Sequence, residues 1–329
     1  MKTEKGAGHT DGPNTAEDPH GTRAHDTDGP HRLARFRITA GDGFRLADHD
    51  PDDTDGAPDN GSGSRERMED RVRTLAKLQE KLFAHGRWGV LVLFQAMDAG
   101  GKDSCIKHIF SGVNPQGCQV VSFKTPSANE VRHDFLWRCV RALPERGHIG
   151  VFNRSFYEDV LIARVHPETL EAWNLPADCT GPDIWEHRYR DIVHLEHYLA
   201  RNGTLVLKFF LHISRDEQRK RLLARLEDPD KHWKFAWSDL QERTRWDDYQ
   251  SAYEDMIRAT ATPVAPWHVV PANSKRFARS VVMDVIIGAL ERLDLRTPEP
   301  DAAMRKLMAR AEQLLKNDED PGPGDGVPS

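Results

Sequence analysis

A glycine-bearing segment, QAMDAGGKDS at 95–104, carries the residue types that bind a phosphate group. It follows the apolar run WGVLVLF and precedes the helix-like CIKHIF, so it would join a strand to a helix. In such a loop, backbone N–H groups at the start of the helix point at an anion, and the ammonium group of a lysine neutralises phosphate oxygens. The candidate phosphate-binding residues are Gly100, Gly101, Lys102, Asp103 and Ser104.

The spacing Ala96-x4-Gly101-Lys102 matches the P-loop pattern except at two positions. Ala96 stands where the first glycine is expected. Asp103 occupies the Ser/Thr position, and Ser104 follows one step later. An ordinary turn between a strand and a helix is the alternative, but the preceding apolar strand favours a P-loop.

Asp98 lies inside this loop, where a carboxylate would repel phosphate oxygens unless a cation lay between them. We therefore predict that Asp98 is a Mg²⁺ ligand, either directly or through water. A cap on the following helix is its alternative role.

Two later apolar runs also end in polar residues. Lys124 follows one of them and could reach a phosphate, or it could extend along the surface into water. The other run ends in Asn153, where P-loop enzymes commonly place a Mg²⁺-binding Asp. The next residue, Arg154, could stabilise charge on a transferring phosphoryl group, and Glu158 follows four residues later.

A basic helix is predicted after residue 214, in the segment SRDEQRKRLLARL. Arg221 and Arg225 are four residues apart and share one helix face. Such a face resembles the basic lid of nucleotide kinases, which closes over phosphates and excludes water. We place this lid at about 214–250; a solvated helix face is the alternative.

These residues must be positioned by strands that alternate with helices. The five apolar runs are Trp88–Phe94, Gln119–Phe123, His148–Asn153, Thr204–His212 and Trp267–Val270. Their continuous hydrophobicity indicates strands covered on both faces. We predict an α/β fold of three αβα layers around a mainly parallel five-stranded sheet, preceded by a helix near 65–85. Ligands of such sheets bind at the carboxyl ends of the strands.

Acidic residues are concentrated at the two ends of the 329-residue chain, whose net charge is -6. Residues 65–316 contain 35 acidic and 39 basic residues, a balance of +4 that would suit a polyanionic ligand. Residues 1–64 contain ten Gly, eleven Asp and five Pro, so we predict disorder there, although 33–38 could dock on the body. The catalytic domain would span 65–295, and a C-terminal helix with an acidic disordered tail would fill 296–329.

Several classes of protein are disfavoured by composition. No apolar run approaches the roughly 18 residues that span a bilayer, and the first residues have no signal-peptide core. The four cysteines form no CxxC pair or zinc-type cluster, and no nucleic-acid-binding motif is present. We expect a cytoplasmic protein without a membrane or nucleic-acid partner.

Taken together, these segments resemble the polyphosphate kinase 2 family. The carrying segments, in the order of the family over about 65–295, are QAMDAGGKDS, SGVNPQG, SFKTPS, FLWR, IGVFNRSFYEDVLIARVHP, LKFFLHISRDEQ, KHWKF, RWDDYQSAYEDM and TPVAPWHVV. The FNRS-x-YE motif with RVHP behind it resembles class III of the family.

The resemblance implies a P-loop kinase with a helical lid that moves phosphoryl groups between inorganic polyphosphate and nucleotides with Mg²⁺. For class III it implies AMP as well as ADP as acceptor, with guanine nucleotides left open, and the family forms homodimers or homotetramers. Carried over by motif, the catalytic residues are Asp98, Lys102, Arg154 and Glu158, with Mg²⁺ near Asp98 and Glu158. The phosphate- and nucleotide-binding residues are Gly100, Gly101, Asp103, Ser104, Lys124, Asn153, Arg221 and Arg225.

Two other readings share these motifs. An ATP-dependent kinase of the adenylate or thymidylate kinase type would have the same loop, lid and fold. A non-catalytic nucleotide-binding regulator could use the same fold, although an intact Lys102 and Arg154 would be unexpected in it. The long N-terminal segment matches nothing in the family pattern, and we assign it no role.

Overall fold

The computed structural model describes residues 33–55 and 64–321 of the chain. Its strands are β1 (Arg37–Ile38), β2 (Gly89–Gln95), β3 (Cys118–Ser122), β4 (Ile149–Asn153), β5 (Thr204–His212) and β6 (Trp267–Pro271). Its α-helices are α1 (Ser64–His85), α2 (Lys102–Ile109), α3 (Trp137–Val140), α4 (Ile162–Val165), α5 (Glu168–Ala172), α6 (Ile184–Arg201), α7 (Arg215–Glu227), α8 (Trp237–Thr244), α9 (Trp246–Thr260), α10 (Lys275–Glu291) and α11 (Ala302–Asn317).

The strands form one sheet in the order β1-β6-β5-β2-β4-β3. Neighbouring strands are parallel except β1, which is antiparallel to β6. The prediction of an α/β fold with a mainly parallel sheet is confirmed, but the sheet described has six strands, and the prediction of five was wrong. The sixth, β1, is only two residues long, which is too short to produce an apolar run in the sequence.

Helices cover both faces of the sheet. Every residue of the central strand β2 is buried, as expected for a strand packed on both sides. One set of helices, α1, α2 and α10, makes mutual contacts through α10, and a second pair, α6 and α9, packs together. We assign these two groups to opposite faces, which gives the three predicted layers.

The start of helix α7 is set by a serine that caps it. Ser214 precedes the helix in an extended conformation, and its side chain accepts a hydrogen bond of 3.1 Å from the backbone N–H of Glu217. A serine in this position satisfies one of the N–H groups left without a partner at the start of a helix. The same turn carries two acidic residues, which the helix dipole favours there.

The N-terminal strap, residues 33–55, packs on the body, which differs from the disorder predicted for 1–64. Its apolar side chains Phe36, Phe44 and Leu46 are buried. The Phe44 carbonyl accepts a hydrogen bond of 2.7 Å from Nε of Arg258. Leu33 and Ile38 also pack against the core, and the pairing of β1 with β6 adds backbone contacts. The disorder predicted for 1–32, 56–63 and 322–329 concerns residues outside those described.

None of the helices within the described residues could span a lipid bilayer.

The sheet topology brings the carboxyl end of β2 next to the carboxyl end of β4. β2 lies between β4 and β5, and Phe94 near its carboxyl end pairs with Asn153 of β4. The residues that follow these two strands are therefore brought together, as is usual for ligand sites in such sheets.

Candidate active site

The loop after β2 makes a tight turn that depends on its glycines. Gly101 has φ of 101°, a left-handed conformation that residues with a side chain rarely adopt. A Cβ added to Gly100 would lie 2.6 Å from the Cβ of Ala96 and 2.7 Å from the carbonyl oxygen of Met97. This close packing brings the start of α2 against the end of β2.

Replacement of Gly100 by alanine is expected to lower the free energy of unfolding by about 1–3 kcal/mol, because the loop must move to admit the new methyl group. Chemical denaturation of the two proteins measures this difference. Gly181→Ala is the matched control, since a Cβ at Gly181 meets nothing within 4 Å. Equal losses in both variants would show that the turn at Gly100 is not tightly packed.

The side chain of Lys102 lies across this loop. Its Nζ donates a hydrogen bond of 2.7 Å to the carbonyl oxygen of Ala96, and the residue is buried. Burial, together with the nearby charge of Arg154, lowers the pKa of Lys102 to about 8. The charges of Asp98, Glu158 and Asp103 act in the opposite direction. An anion that bound beside Nζ would stabilise the charged form of this lysine.

Arg154 follows β4 and lies between two carboxylates. Its Nη2 is 2.9 Å from Oδ1 of Asp98, and its Nη1 is 3.7 Å from Oε2 of Glu158. Its backbone has φ of 65°, which is strained for a residue with a side chain, and its N–H donates to the carbonyl of Phe94. The structure therefore brings together all four predicted catalytic residues, the lysine and arginine with the two carboxylates.

Asp103, which occupies the usual Ser/Thr position of the P-loop, contacts Asn153, which occupies the usual Asp position after β4. Nδ2 of Asn153 donates a hydrogen bond of 2.6 Å to Oδ1 of Asp103. Ser104 turns back into the loop, where its Oγ donates to the carbonyl of Gly101 at 3.1 Å. Asp103 therefore links the start of α2 to the end of β4.

Arg221 has a different position from the one predicted for a lid arginine facing phosphates. Its Nη1 donates to the carbonyls of Ala99 and Gly100 at 3.1 and 3.0 Å. Its Nη2 donates to the carbonyls of Ala272 and Asn273. The guanidinium is buried and holds the backbone of the loop, and the role of Arg221 in binding phosphates stays a prediction.

The other predicted cations lie further out. Nη1 of Arg225 pairs with Oδ2 of Asp239 on α8 at 2.8 Å, within the lid. Lys124 is exposed beyond the end of β3, and its carbonyl accepts a hydrogen bond of 2.7 Å from Nη1 of Arg138. Neither contact joins the cation directly to the loop.

Comparison with known proteins bears on this arrangement. The family described as Polyphosphate kinase 2 (PPK2) matches residues 60–298 of the chain, which is more than half of it. The chain belongs to the polyphosphate kinase 2 family. The resemblance seen in the sequence is confirmed at this level, and with it the P-loop kinase fold and the expectation of a phosphotransferase.

Individual relatives of this polyphosphate kinase 2 chain extend the match. An ADP-polyphosphate phosphotransferase from Rhodopseudomonas palustris is 53% identical over 253 residues, 76% of this chain and 88% of the relative. An AMP/ADP-polyphosphate phosphotransferase from Meiothermus ruber is 43% identical over 276 residues, 84% of this chain and 99% of the relative. The crystal structure of Polyphosphate Kinase 2 from Arthrobacter aurescens TC1 aligns with a TM-score of 0.75 at 42% identity, over 83% of this chain and 95% of that one.

Two glutamines of this polyphosphate kinase 2 site were missed from the sequence. Gln95 ends β2 and donates from Nε2 to Oε1 of Glu158 at 3.0 Å. Gln218 on α7 donates from Nε2 to the carbonyl of Asp98 at 3.0 Å. Gln95 could have been suspected as a polar residue closing an apolar run, and Gln218 because it lies three residues before Arg221 on the same helix face.

Proposed function

We propose that this chain transfers phosphoryl groups between inorganic polyphosphate and the nucleotides AMP and ADP, forming ADP and ATP with Mg²⁺. The observation that carries the proposal is the cluster of Lys102 and Arg154 with Asp98 and Glu158 at the ends of two adjacent strands. The names of two relatives of the chain specify polyphosphate together with ADP, or with AMP and ADP. These names favour polyphosphate over ATP as the donor.

Phosphoryl transfer between two phosphate chains needs little covalent chemistry from the protein. The acceptor oxygen already belongs to an anionic phosphate, so no general base is required, and positioning with charge neutralisation supplies most of the catalysis. In this proposal Lys102 and Arg154 neutralise the transferring group. Arg221 contributes indirectly, because it holds the carbonyls of Ala99 and Gly100 and so fixes the shape of the loop.

The residues present fit a Mg²⁺ ion bound together with substrate. Asp98 and Glu158 flank the same guanidinium, so their carboxylates lie close to each other. Oε1 of Gln95, whose amide contacts Glu158, is buried and has no hydrogen-bond partner among the described residues. Mg²⁺ is usually held by one or two carboxylates with substrate phosphates and water, and bound there it would neutralise charge on the phosphates.

Replacement of Asp98 by asparagine is expected to raise the Mg²⁺ concentration for half-maximal activity by about tenfold to 100-fold, because a charged ligand becomes neutral. Mg²⁺ titrations of the initial rate at fixed polyphosphate and ADP measure this change. Asp216→Asn is the matched control, since its carboxylate is exposed on α7 and pairs only weakly with Arg219 at 3.6 Å. An unchanged Mg²⁺ dependence in the Asp98 variant would contradict its assignment as a metal ligand.

One assay tests the proposed function directly. The protein is incubated with Mg²⁺ and polyphosphate plus AMP, ADP, GMP or GDP, in the absence of ATP, and the products are separated by chromatography. New ATP from AMP and ADP supports the proposal, and the guanine arms define the base selectivity. Transfer only when ATP is the donor would favour an adenylate or thymidylate kinase activity instead. Tight nucleotide binding without turnover from either donor would favour a regulator.

We further propose, from the family resemblance, that the chain acts as a homodimer or homotetramer in the cytoplasm. The four cysteines, all within the described residues, are free, which suits a reducing compartment. Light scattering on the purified protein measures the mass of the assembly.

A further inference from the structure

The lid contacts the body of the protein beside the RVHP motif. In the structure the name lid denotes residues 215–244, which comprise α7, the short helical turn Pro229–Lys234 and α8. The residues from 246 onward, included in the predicted 214–250, belong to α9, which packs against α6. Trp233 in the turn and Trp237 at the start of α8 are 79% and 68% exposed. The outer part of the lid is therefore little buried, and its position depends on a few polar contacts.

Several polar side-chain contacts hold α8, and three of them differ in what they join. Asp239 pairs with Arg225 of α7 at 2.8 Å, and Arg243 donates to Oε1 of Gln218 of α7 at 2.9 Å. Both of these lie within the lid. Glu242 instead reaches out of the lid, where its Oε2 is 2.8 Å from Nε2 of His166. This third contact ties α8 to the segment between α4 and α5.

The ring of His166 has a carboxylate on each nitrogen. Nε2 faces Glu242, and Nδ1 is 3.1 Å from Oε1 of Glu168 on α5. Ionised carboxylates only accept hydrogen bonds, so both contacts are satisfied at once only when both ring nitrogens carry a proton. The geometry therefore selects the imidazolium form of His166.

Other charged and titratable groups surround this contact. The hydroxyl of Tyr249 on α9 donates to the same Glu242 oxygen at 2.7 Å. Arg245, just before α9, opposes the positive charge of the ring, while Arg164 on α4 pairs with Asp255. Burial alone would lower the pKa of His166, but the hydrogen bonds to Glu242 and Glu168 outweigh it, and the pKa is raised above its ordinary value.

We propose that His166 is a positioning residue: its protonated ring holds helix α8 against the body, and the hold weakens as the ring loses its proton. Since the pKa is higher in the folded protein, the stabilisation is complete below the ordinary value for histidine and is lost as the pH rises through the raised value. At high pH only one ring nitrogen can donate, so one of the two ring contacts is lost and the other is no longer strengthened by the charge of the ring.

The contact between His166 and Glu242 is connected to the phosphate-binding loop by hydrogen bonds of the lid. Arg243 of α8 bonds Gln218, and Gln218 bonds the backbone carbonyl of Asp98. If α8 moved away, Gln218 would lose its hydrogen bond from Arg243, and the loop residue Asp98 would be held less firmly. The movement of α8 can be measured without turnover.

Hydrogen–deuterium exchange on the full chain without substrates tests the proposal. We expect the protection of the α8 amides, corrected for intrinsic exchange rates, to fall about threefold to tenfold between about pH 6 and pH 9. In His166→Gln and Glu242→Gln we expect low protection that does not change with pH. His194→Gln is the control, because His194 is an exposed histidine on α6.

A folding defect can be distinguished from loss of the His166 contact, and the result does not depend on whether the proposed function is correct. Protection of β2 amides in the same samples reports whether each variant is folded. A wild-type lid whose protection is independent of pH would overturn the proposal, as would a pH-dependent fall that persists in both variants. Loss of the dependence in the His194 variant as well would also overturn it.

Discussion

Replacement of Lys102 by alanine is expected to lower kcat for transfer from polyphosphate to ADP by about 10³-fold. Nζ of the lysine lies 2.7 Å from the Ala96 carbonyl of the loop, and its removal would leave the transferring group without one of the two cations proposed to neutralise it. Initial rates at saturating substrate measure the loss. The assay belongs at about pH 7, because the pKa of Lys102 is lowered to about 8 and the ammonium must be charged.

Lys107→Ala is the matched control for this comparison. Lys107 lies on the same helix but is exposed, so its removal changes the net charge without touching the loop. We expect it to retain nearly the rate of the parent protein. A Lys102 variant that kept most of its activity would remove the loop from the catalytic site and leave the proposed mechanism without its central group.

Replacement of Arg221 by lysine is expected to lower the free energy of unfolding by about 3–5 kcal/mol and to lower kcat as well. The guanidinium donates to four backbone carbonyls and also pairs with Glu217 at 2.7 Å, a set of contacts that a single ammonium cannot reproduce. Denaturant unfolding and initial rates on the same preparation measure both effects.

Arg225→Lys separates this role from that of a phosphate-binding arginine. Arg225 lies four residues later on the same helix and makes one ion pair, with Asp239. We expect the lysine variant at 225 to keep its stability. If the Arg221 variant lost activity while its unfolding curve stayed unchanged, Arg221 would act on the phosphates as first predicted from the sequence.

The parts of the site that could be predicted are those that depend on residues close together in the sequence. The apolar run before Gln95 and the pair Gly101–Lys102 identify a loop between a strand and a helix by local spacing alone. The strand ends were located in the same way. Because the carboxyl ends of parallel strands share one edge, the proximity of Arg154 to this loop followed from the fold class.

The remaining features depend on contacts between residues far apart in the chain. Arg221 contacts the carbonyl of Gly100, 121 positions earlier, and nothing in the spacing of the lid helix shows that it turns inward. The residues Asp103 and Asn153 illustrate the same limit. Each was recognised as an isolated departure from the P-loop pattern, whereas the structure shows that they bond to each other across 50 positions.

The N-terminal strap also affects how the catalytic region can be handled on its own. The family match begins at residue 60, after the strap, yet β1 pairs with β6, and Phe36 packs edge-on against Phe277 with 6.0 Å between ring centres. A chain shortened to 60–298 would leave the backbone groups of β6 without their antiparallel neighbour. Open edges of this kind recruit other strands, so self-association would follow from cutting at the boundary of the family match.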